Sequence, residues 1–222
     1  ITGACSIAYD TSGVDPAMDL TLSGNVQWFG GWGLNFAGGK AQASTGSSAK
    51  LKDLILQTGE YSIEAWVAPG NVVQEDMRIV SYSASLTNRN FNLGQTMYDY
   101  EHFVRTDNSD ENGNPQLSTP SAAEVLQATL QHVVATYNPV EGRRIYVNGE
   151  LVTQTDPVPG GSLADWDDSR WINLTGVSGH PASAHYSDQT ELFVDGETLP
   201  WTYTRGAVEE AAEDRLVLTP PA

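Results

Sequence analysis

Short runs of alternating apolar and polar residues fill the first two-thirds of the chain. In YSIEAWVAP (61–69), Ile63, Ala65 and Val67 fall on one face and Ser62, Glu64 and Trp66 on the other, and Pro69-Gly70 supplies a turn. MRIVSYSA (77–84), NFNLGQTMY (90–98) and YEHFVRTD (100–107) follow, and a polar segment, TDNSDENGNPQLSTPSA (106–122), interrupts them. The clearest hairpin comes next. HVVATY (132–137) is β-branched and alternating, NPVEG (138–142) turns the chain, and RRIYVNG (143–149) returns, with Asn148-Gly149 as a type I′ turn dipeptide before ELVTQT. Strand follows strand at short spacing, with no long amphipathic helix expected, so the pattern predicts an all-β antiparallel sandwich.

YSIEAWVAP and LQHVVATYNPVEGRRIYVNGELV together resemble the laminin-G/pentraxin-like jelly-roll modules of the concanavalin A-like superfamily, and WGLNFAGGKAQAST (32–45) is similar to their early strand. The resemblance covers about residues 1–168. It implies a jelly-roll β-sandwich whose motif residues pack and turn rather than react, with Trp66 in the core. Such modules often bind calcium at a sandwich rim. The two further strands that would complete the sheets beyond WDDS are not evident in the pattern.

From about residue 163 the texture changes. Two runs have strand character, RWINLT (170–175) and RLVLT (215–219), and both are expected to pair into the sandwich, with Ile172 and Leu174 on one face and Leu216 and Leu218 on one face. Between them, Ser187 can cap a short helix over 188–194 closed by Gly196, and Thr204 can cap a second in TRGAVEEAAED. That intervening stretch, with His180 and His185, is expected to lie outside the sheets. The expected organisation is a sandwich over 1–168 and a mixed strand and helix extension over 169–222 that completes it. The 163–222 tail also resembles the C-terminal end of the β-subunit of penicillin-acylase-type N-terminal-nucleophile hydrolases, through its Ser-Gly-His-Pro-x-Ser-x-His-Tyr-x-Asp-Gln stretch.

Composition narrows the function. The 21 glycines and 11 prolines agree with a turn-rich β fold, and a formal charge of −17 repels phosphate backbones and anionic membranes. Nucleic acid is therefore excluded as a partner, and no apolar run is long enough to span a bilayer. The single Cys5 makes no internal disulfide, and a start at Ile1 rather than Met suggests a processed or excised piece.

Chemical candidates are few. SGHPASAHYSDQTEL (178–192) gathers Ser178, His180, His185 and Asp188, but no nucleophile elbow surrounds the serine, and anchoring the turn is the expected role of the histidines. In the acylase family the nucleophile is the N-terminal residue of the β-subunit, and Ile1 cannot serve. No catalytic residue is therefore assigned. Asn108, Asp110, Asn112 and Asn114 place oxygen side chains at alternate positions around Gly113, much of a calcium-loop pattern, although Asn replaces the first Asp and Thr119 stands where a bidentate Glu belongs. Calcium is the candidate cofactor. QWFGGWG (27–33) sets Trp28 and Trp32 among glycines as candidate ligand-binding aromatics. The expected function is a non-catalytic binding or adhesion module of a secreted or surface protein, recognising carbohydrate or an extracellular protein. The rivals are a non-catalytic fragment of an acylase-type amide hydrolase and a structural subunit of a larger extracellular assembly.

Overall fold

The computed structural model describes residues 6–29, 33–153, 155–175, 183–194, 197–204 and 215–218, those from 175 onward by their backbone alone. The strands in chain order are β1 (Ile7–Ala8), β2 (Leu20–Phe29), β3 (Gly33–Gln42), β4 (Tyr61–Pro69), β5 (Met77–Ser83), β6 (Arg89–Thr96), β7 (Asp99–Val104), β8 (Leu117–Ser118), β9 (Gln131–Asn138), β10 (Gly142–Val147), β11 (Glu150–Leu151), β12 (Trp171–Thr175), β13 (Ser183–Val194), β14 (Glu197–Thr204) and β15 (Arg215–Leu218). One helix, α1 (Thr45–Thr58), joins β3 to β4. Every strand pairing among the described residues is antiparallel.

The hydrogen-bonded order β11-β10-β9-β4-β13-β3-β12-β5-β6-β7-β8 folds over on itself at β3. The first half of β3 pairs with β13 through Leu34–Ala37, and the second half pairs with β12 through Lys40–Gln42. Each half therefore belongs to a different layer. The register of β2 against β3 shifts between Gly24 and Val26, opposite Gly39. A Cβ on Gly39 would sit 2.5 Å from the Ser23 carbonyl oxygen, so this close backbone approach requires glycine.

Side chains crossing between layers show the sandwich directly. Tyr61 of β4 stacks on Phe91 of β6 with ring centroids 5.2 Å apart, and its hydroxyl lies 3.1 Å from Nε2 of His102 on β7. Trp166 closes the aromatic cluster against Tyr61, Tyr82 and Phe91. The alternation read in YSIEAWVAP is observed, with Ile63, Ala65 and Val67 buried. Asn148 (φ 52°) and Gly149 (φ 86°) form the expected left-handed turn between β10 and β11.

Three expectations need correction. First, the 14-residue helix α1 stands where only strands were expected. Ser44 caps it by accepting from the Ser47 amide, and Gly59 ends it in the left-handed region with its N–H donating to the Ile55 carbonyl. Its buried stripe, Leu51 and Ile55, is too narrow to make a strong periodic signal. Second, Trp66 is half-buried on the outward face rather than in the core, because the period of two places it with Glu64. Third, His185 lies in β13 between β4 and β3, and Asp188 lies in the same strand within its irregularity against β4 between Tyr186 and Thr190, not in an excursion or a short helix. A strand inserted there satisfies backbone groups on both of its edges, which outweighs a local cap at Ser187.

β12 behaves as expected. It sits between β3 and β5 with Ile172 and Leu174 both buried. β15 pairs with β14, and β14 with β13; the side chains of Leu216 and Leu218 lie outside the described residues, as do the segments containing Cys5, Trp32, Ser178, His180, Gly196 and most of TRGAVEEAAED. No helix among the described residues is long and apolar enough to cross a membrane.

Candidate functional site

Register across the second layer sorts the side chains into two rows. Leu22, Ala41, Leu174, Val80, Leu93, His102 and Leu117 are successive cross-strand partners and line the core side. One residue along each strand, Thr21, Gln42, Asn173, Ser81, Asn92 and Phe103 form the adjacent row. A one-residue step reverses the face of a strand. The side of this layer away from the core is therefore a strip of hydroxyls and amides ending on an aromatic ring, accessible at its Thr21 and Gln42 end and buried at Asn173, Ser81, Asn92 and Phe103. Asn92 is buried on this strip, and its Oδ1 has no hydrogen-bond partner. An unpaired buried carbonyl costs about 1–3 kcal/mol, so this oxygen is an unused acceptor.

Two arginines lie over the strip. A register irregularity between Arg78 and Val80 turns Arg78 outward, opposite Gly94, and a second one puts Arg89 opposite Ser83. Nη1 of Arg78 donates to the hydroxyls of Ser81 and Ser83, and its Nη2 donates to the Ser85 carbonyl at 2.7 Å. Nε of Arg89 donates to Oδ1 of Asn112 and its Nη2 to the Leu86 carbonyl, while the guanidinium lies 4.3 Å from the centre of the Phe103 ring. Both residues are more than nine-tenths buried. Burial, and after it the neighbouring charge of Arg89, pushes the Arg78 guanidinium down to about 10. Burial likewise lowers Arg89, against the opposing influence of Asp76, Glu101 and Asp110.

Glu101, opposite Gly94 on the same face, accepts from Thr96, Gln116 and Ser118. Burial raises its carboxyl above the ordinary glutamate value, and those hydrogen bonds partly offset the shift.

The outward face of the first layer carries a smaller cluster. His132 of β9 lies opposite Trp66 of β4, with ring centroids 4.9 Å apart, and its Nε2 pairs with Glu64.

The residues singled out from sequence fall elsewhere. Trp28 is half-buried against the core at the end of β2, next to the exposed Phe29. In the 107–114 loop, Oδ1 of Asp110 accepts from the amides of Asn112 and Asn114, and its Oδ2 accepts from the Asn114 side chain. These bonds hold the Asp110 carboxyl below its usual value, with a smaller help from Arg89, although burial alone would raise it. The amide oxygen of Asn112 is taken by Arg89, and Asn108 contributes a backbone N–H to Thr106. The structure thus brings Asp110, Asn112 and Asn114 together, as N–H-closed turns. No group of three or more His, Cys, Asp or Glu residues suited to a metal occurs among the described residues. The strip was missed because its members, five polar residues and Phe103, come from six separate strands. Only the alternation in MRIVSYS and RNFNLGQT hinted at it.

The antiparallel strands and the side chains packed between their two layers define an all-β sandwich. Residues 43–184 match the Laminin_G_3 family of the concanavalin A-like lectin/glucanases superfamily, and the chain belongs to that family. The match continues past residue 168, through β12 and into β13, so the strands absent from the sequence pattern are present in the fold.

Among curated proteins, the chain is similar to the penicillin acylase 2 proenzyme of Pseudomonas sp. (strain SE83), at 31% identity over 129 residues, 51% of this chain and 17% of that protein. That alignment is longer than the 163–222 tail, and the chain spans under a fifth of the relative's length. Among solved structures, a receptor-binding domain matches with a TM-score of 0.57 at 14% identity, covering 85% of this chain and 47% of that one. A structure concerned with cell entry of botulinum neurotoxin type C through two ganglioside molecules matches at 0.56 and 15%, covering 86% and 49%. The binding domain of botulinum neurotoxin DC in complex with SialylT matches at 0.57 and 15%, covering 85% and 48%. At these identities the likeness shows the fold. The chain spans about half of each of these structures.

Proposed function

We propose that this chain is a carbohydrate-binding module of a larger secreted or surface protein, and that it recognises sugar on the outward strip of the second layer. The observation that carries this reading is the row Gln42, Asn173, Ser81 and Asn92 beside Phe103, with the Asn92 carbonyl oxygen unpaired. Sugar hydroxyls need fixed amide and hydroxyl partners, and this row gathers such groups, with Thr21 and Gln42 at its accessible end. The names of the structural neighbours support the reading, since the two neurotoxin structures named above concern a ganglioside and SialylT. Immobilised neutral and acidic glycans probed with the intact chain test it. Binding should appear, and Asn92→Ala should weaken it about tenfold, the equivalent of ~1.4 kcal/mol. Binding to no glycan, or binding indifferent to Asn92→Ala and Ser81→Ala, would reject the assignment.

A second reading has its own observation, the likeness to a penicillin acylase proenzyme over half of the chain. In it the chain is a non-catalytic part of an amide hydrolase, and turnover of a chromogenic acyl-amide requires a separate catalytic subunit.

A further inference from the structure

Three connections meet at one end of the sandwich: 70–76 between β4 and β5, the Met97-Tyr98 tip between β6 and β7, and 119–130 between β8 and β9. Hydrogen bonds lock them together. The Met97 amide donates to the Gln74 carbonyl at 2.6 Å, the Leu126 amide to the Tyr98 carbonyl at 2.9 Å, and the Asp76 amide to the Thr96 hydroxyl at 3.2 Å. The Gln95 side-chain amide donates to the carbonyls of Asn71 and Met97. This rim is therefore held in one shape by the chain's own contacts.

What the rim displays is unfavourable for the chain alone. Val73, Met97 and Tyr98 are exposed on it, on segments joined by the bond between Met97 and Gln74. Of the four non-glycine residues with a left-handed backbone among the described residues, three lie in these connections: Asp76, Met97 and Glu124. Met97, at φ 52°, is the least suited to its place. A Cβ in that region crowds the following carbonyl, and two-residue hairpin tips ordinarily take Gly, Asn or Asp at such positions. A solvated turn has no use for an apolar side chain on strained backbone, whereas a binding surface does.

The surroundings set the chemistry of the partner. Glu75, Asp76 and Glu124 are exposed in the same connections, and no Lys or Arg occurs in 70–76, 96–101 or 119–131. An apolar centre inside a wholly acidic border complements an apolar recess bordered by Lys and Arg. The same border repels anionic lipid, sulfated glycans and phosphate. We infer that this rim docks a basic protein surface, with Met97 and Tyr98 as the apolar anchors and Glu75, Asp76 and Glu124 facing the partner's cations. The docking site is separate from the polar strip and does not depend on the carbohydrate reading.

A random dodecapeptide phage library panned on the immobilised intact chain tests this, and the most enriched peptide is then synthesised and titrated calorimetrically. Enriched sequences should combine Lys or Arg with large apolar residues, and affinity should fall as sodium chloride rises from about 50 to 500 mM. Met97→Asn and Tyr98→Ser should each weaken binding at least about tenfold. Asparagine suits the left-handed position, so Met97→Asn should do so with a melting temperature no lower than that of the wild type, an outcome a merely structural Met97 would not give. Oxidation decides the matter without any substitution. Met97 is 45% exposed whereas Met18 and Met77 are 0% and 6% exposed, so mild hydrogen peroxide converts Met97 selectively to its polar sulfoxide. The oxidised wild type should lose the peptide, and bound peptide should protect Met97. Enriched peptides that are acidic or neutral, or binding that survives both Met97→Asn and oxidation, would overturn the inference. So would the failure to enrich any peptide; Met97-dependent sedimentation with phosphatidylcholine vesicles in that case would assign the rim to a lipid surface instead.

Discussion

Asp156→Ala removes the acceptor on which one end of the sandwich depends. The Asp156 carboxylate accepts four bonds, from the backbone amide, Nε and Nη2 of Arg143 and from the Val158 amide. Both side chains of the pair are 3% exposed. Nη1 of Arg143 also crosses the core to the His102 carbonyl at 3.1 Å, so the pair ties β10 in one layer to β7 in the other. Alanine leaves a buried guanidinium with that single carbonyl. Breaking a buried pair in this way costs about 3–5 kcal/mol. That is a large part of the roughly 5–15 kcal/mol that holds a typical domain. For a chain of this size each kcal/mol lowers the melting temperature by about 2–4 °C, so the expected fall is roughly 6–20 °C. Differential scanning calorimetry and urea titration measure it. The double variant Arg143→Met/Asp156→Leu should recover most of the loss, because a well-packed apolar pair replaces the ionic one at little net cost. A fall of less than about 2 °C in Asp156→Ala, or a double variant worse than the single, would refute the reasoning.

Two further outcomes are expected. Burial first, and the Arg143 charge after it, hold the His102 imidazole well below its ordinary value, so the folded chain keeps it neutral while the unfolded chain protonates near pH 6.5. This contribution is complete above about pH 6.5 and is lost as pH falls below it towards the folded value, with a slope near 1.4 kcal/mol per unit. His102→Gln should flatten the melting-temperature profile between about pH 6.5 and 5, and an unchanged profile would contradict the assignment. The 107–114 loop is closed by N–H donors on Asp110 and by Arg89 on Asn112. Asp110→Ala should therefore destabilise the chain equally with millimolar calcium or with chelator. A calcium-dependent rise in melting temperature that disappears in Asp110→Ala would instead place a cation there.

The alternation in YSIEAWVAP and the Asn148-Gly149 turn are local facts. A period of two and two consecutive left-handed positions constrain the backbone wherever the segment lies, so β4 and the β10–β11 turn were legible from the residues alone. So was the burial of Ile172 and Leu174, a property of one strand's own pattern. Ser44 and Gly59 marked the ends of α1 just as locally, but its narrow apolar stripe hid the helix between them. The stretch around His185 reads as a capped loop by itself and becomes a strand only because β4 and β3 present unpaired edges on either side. The site is further still from the sequence. Thr21, Gln42, Asn173, Ser81, Asn92 and Phe103 come from six strands, and nothing in any one strand says which of the others will lie beside it. Cross-strand register makes them a row, and two local irregularities on the β5–β6 pair turn Arg78 and Arg89 onto it. Periodicity decides which face a residue takes, whereas the partners on that face are decided by contacts between residues far apart in the chain.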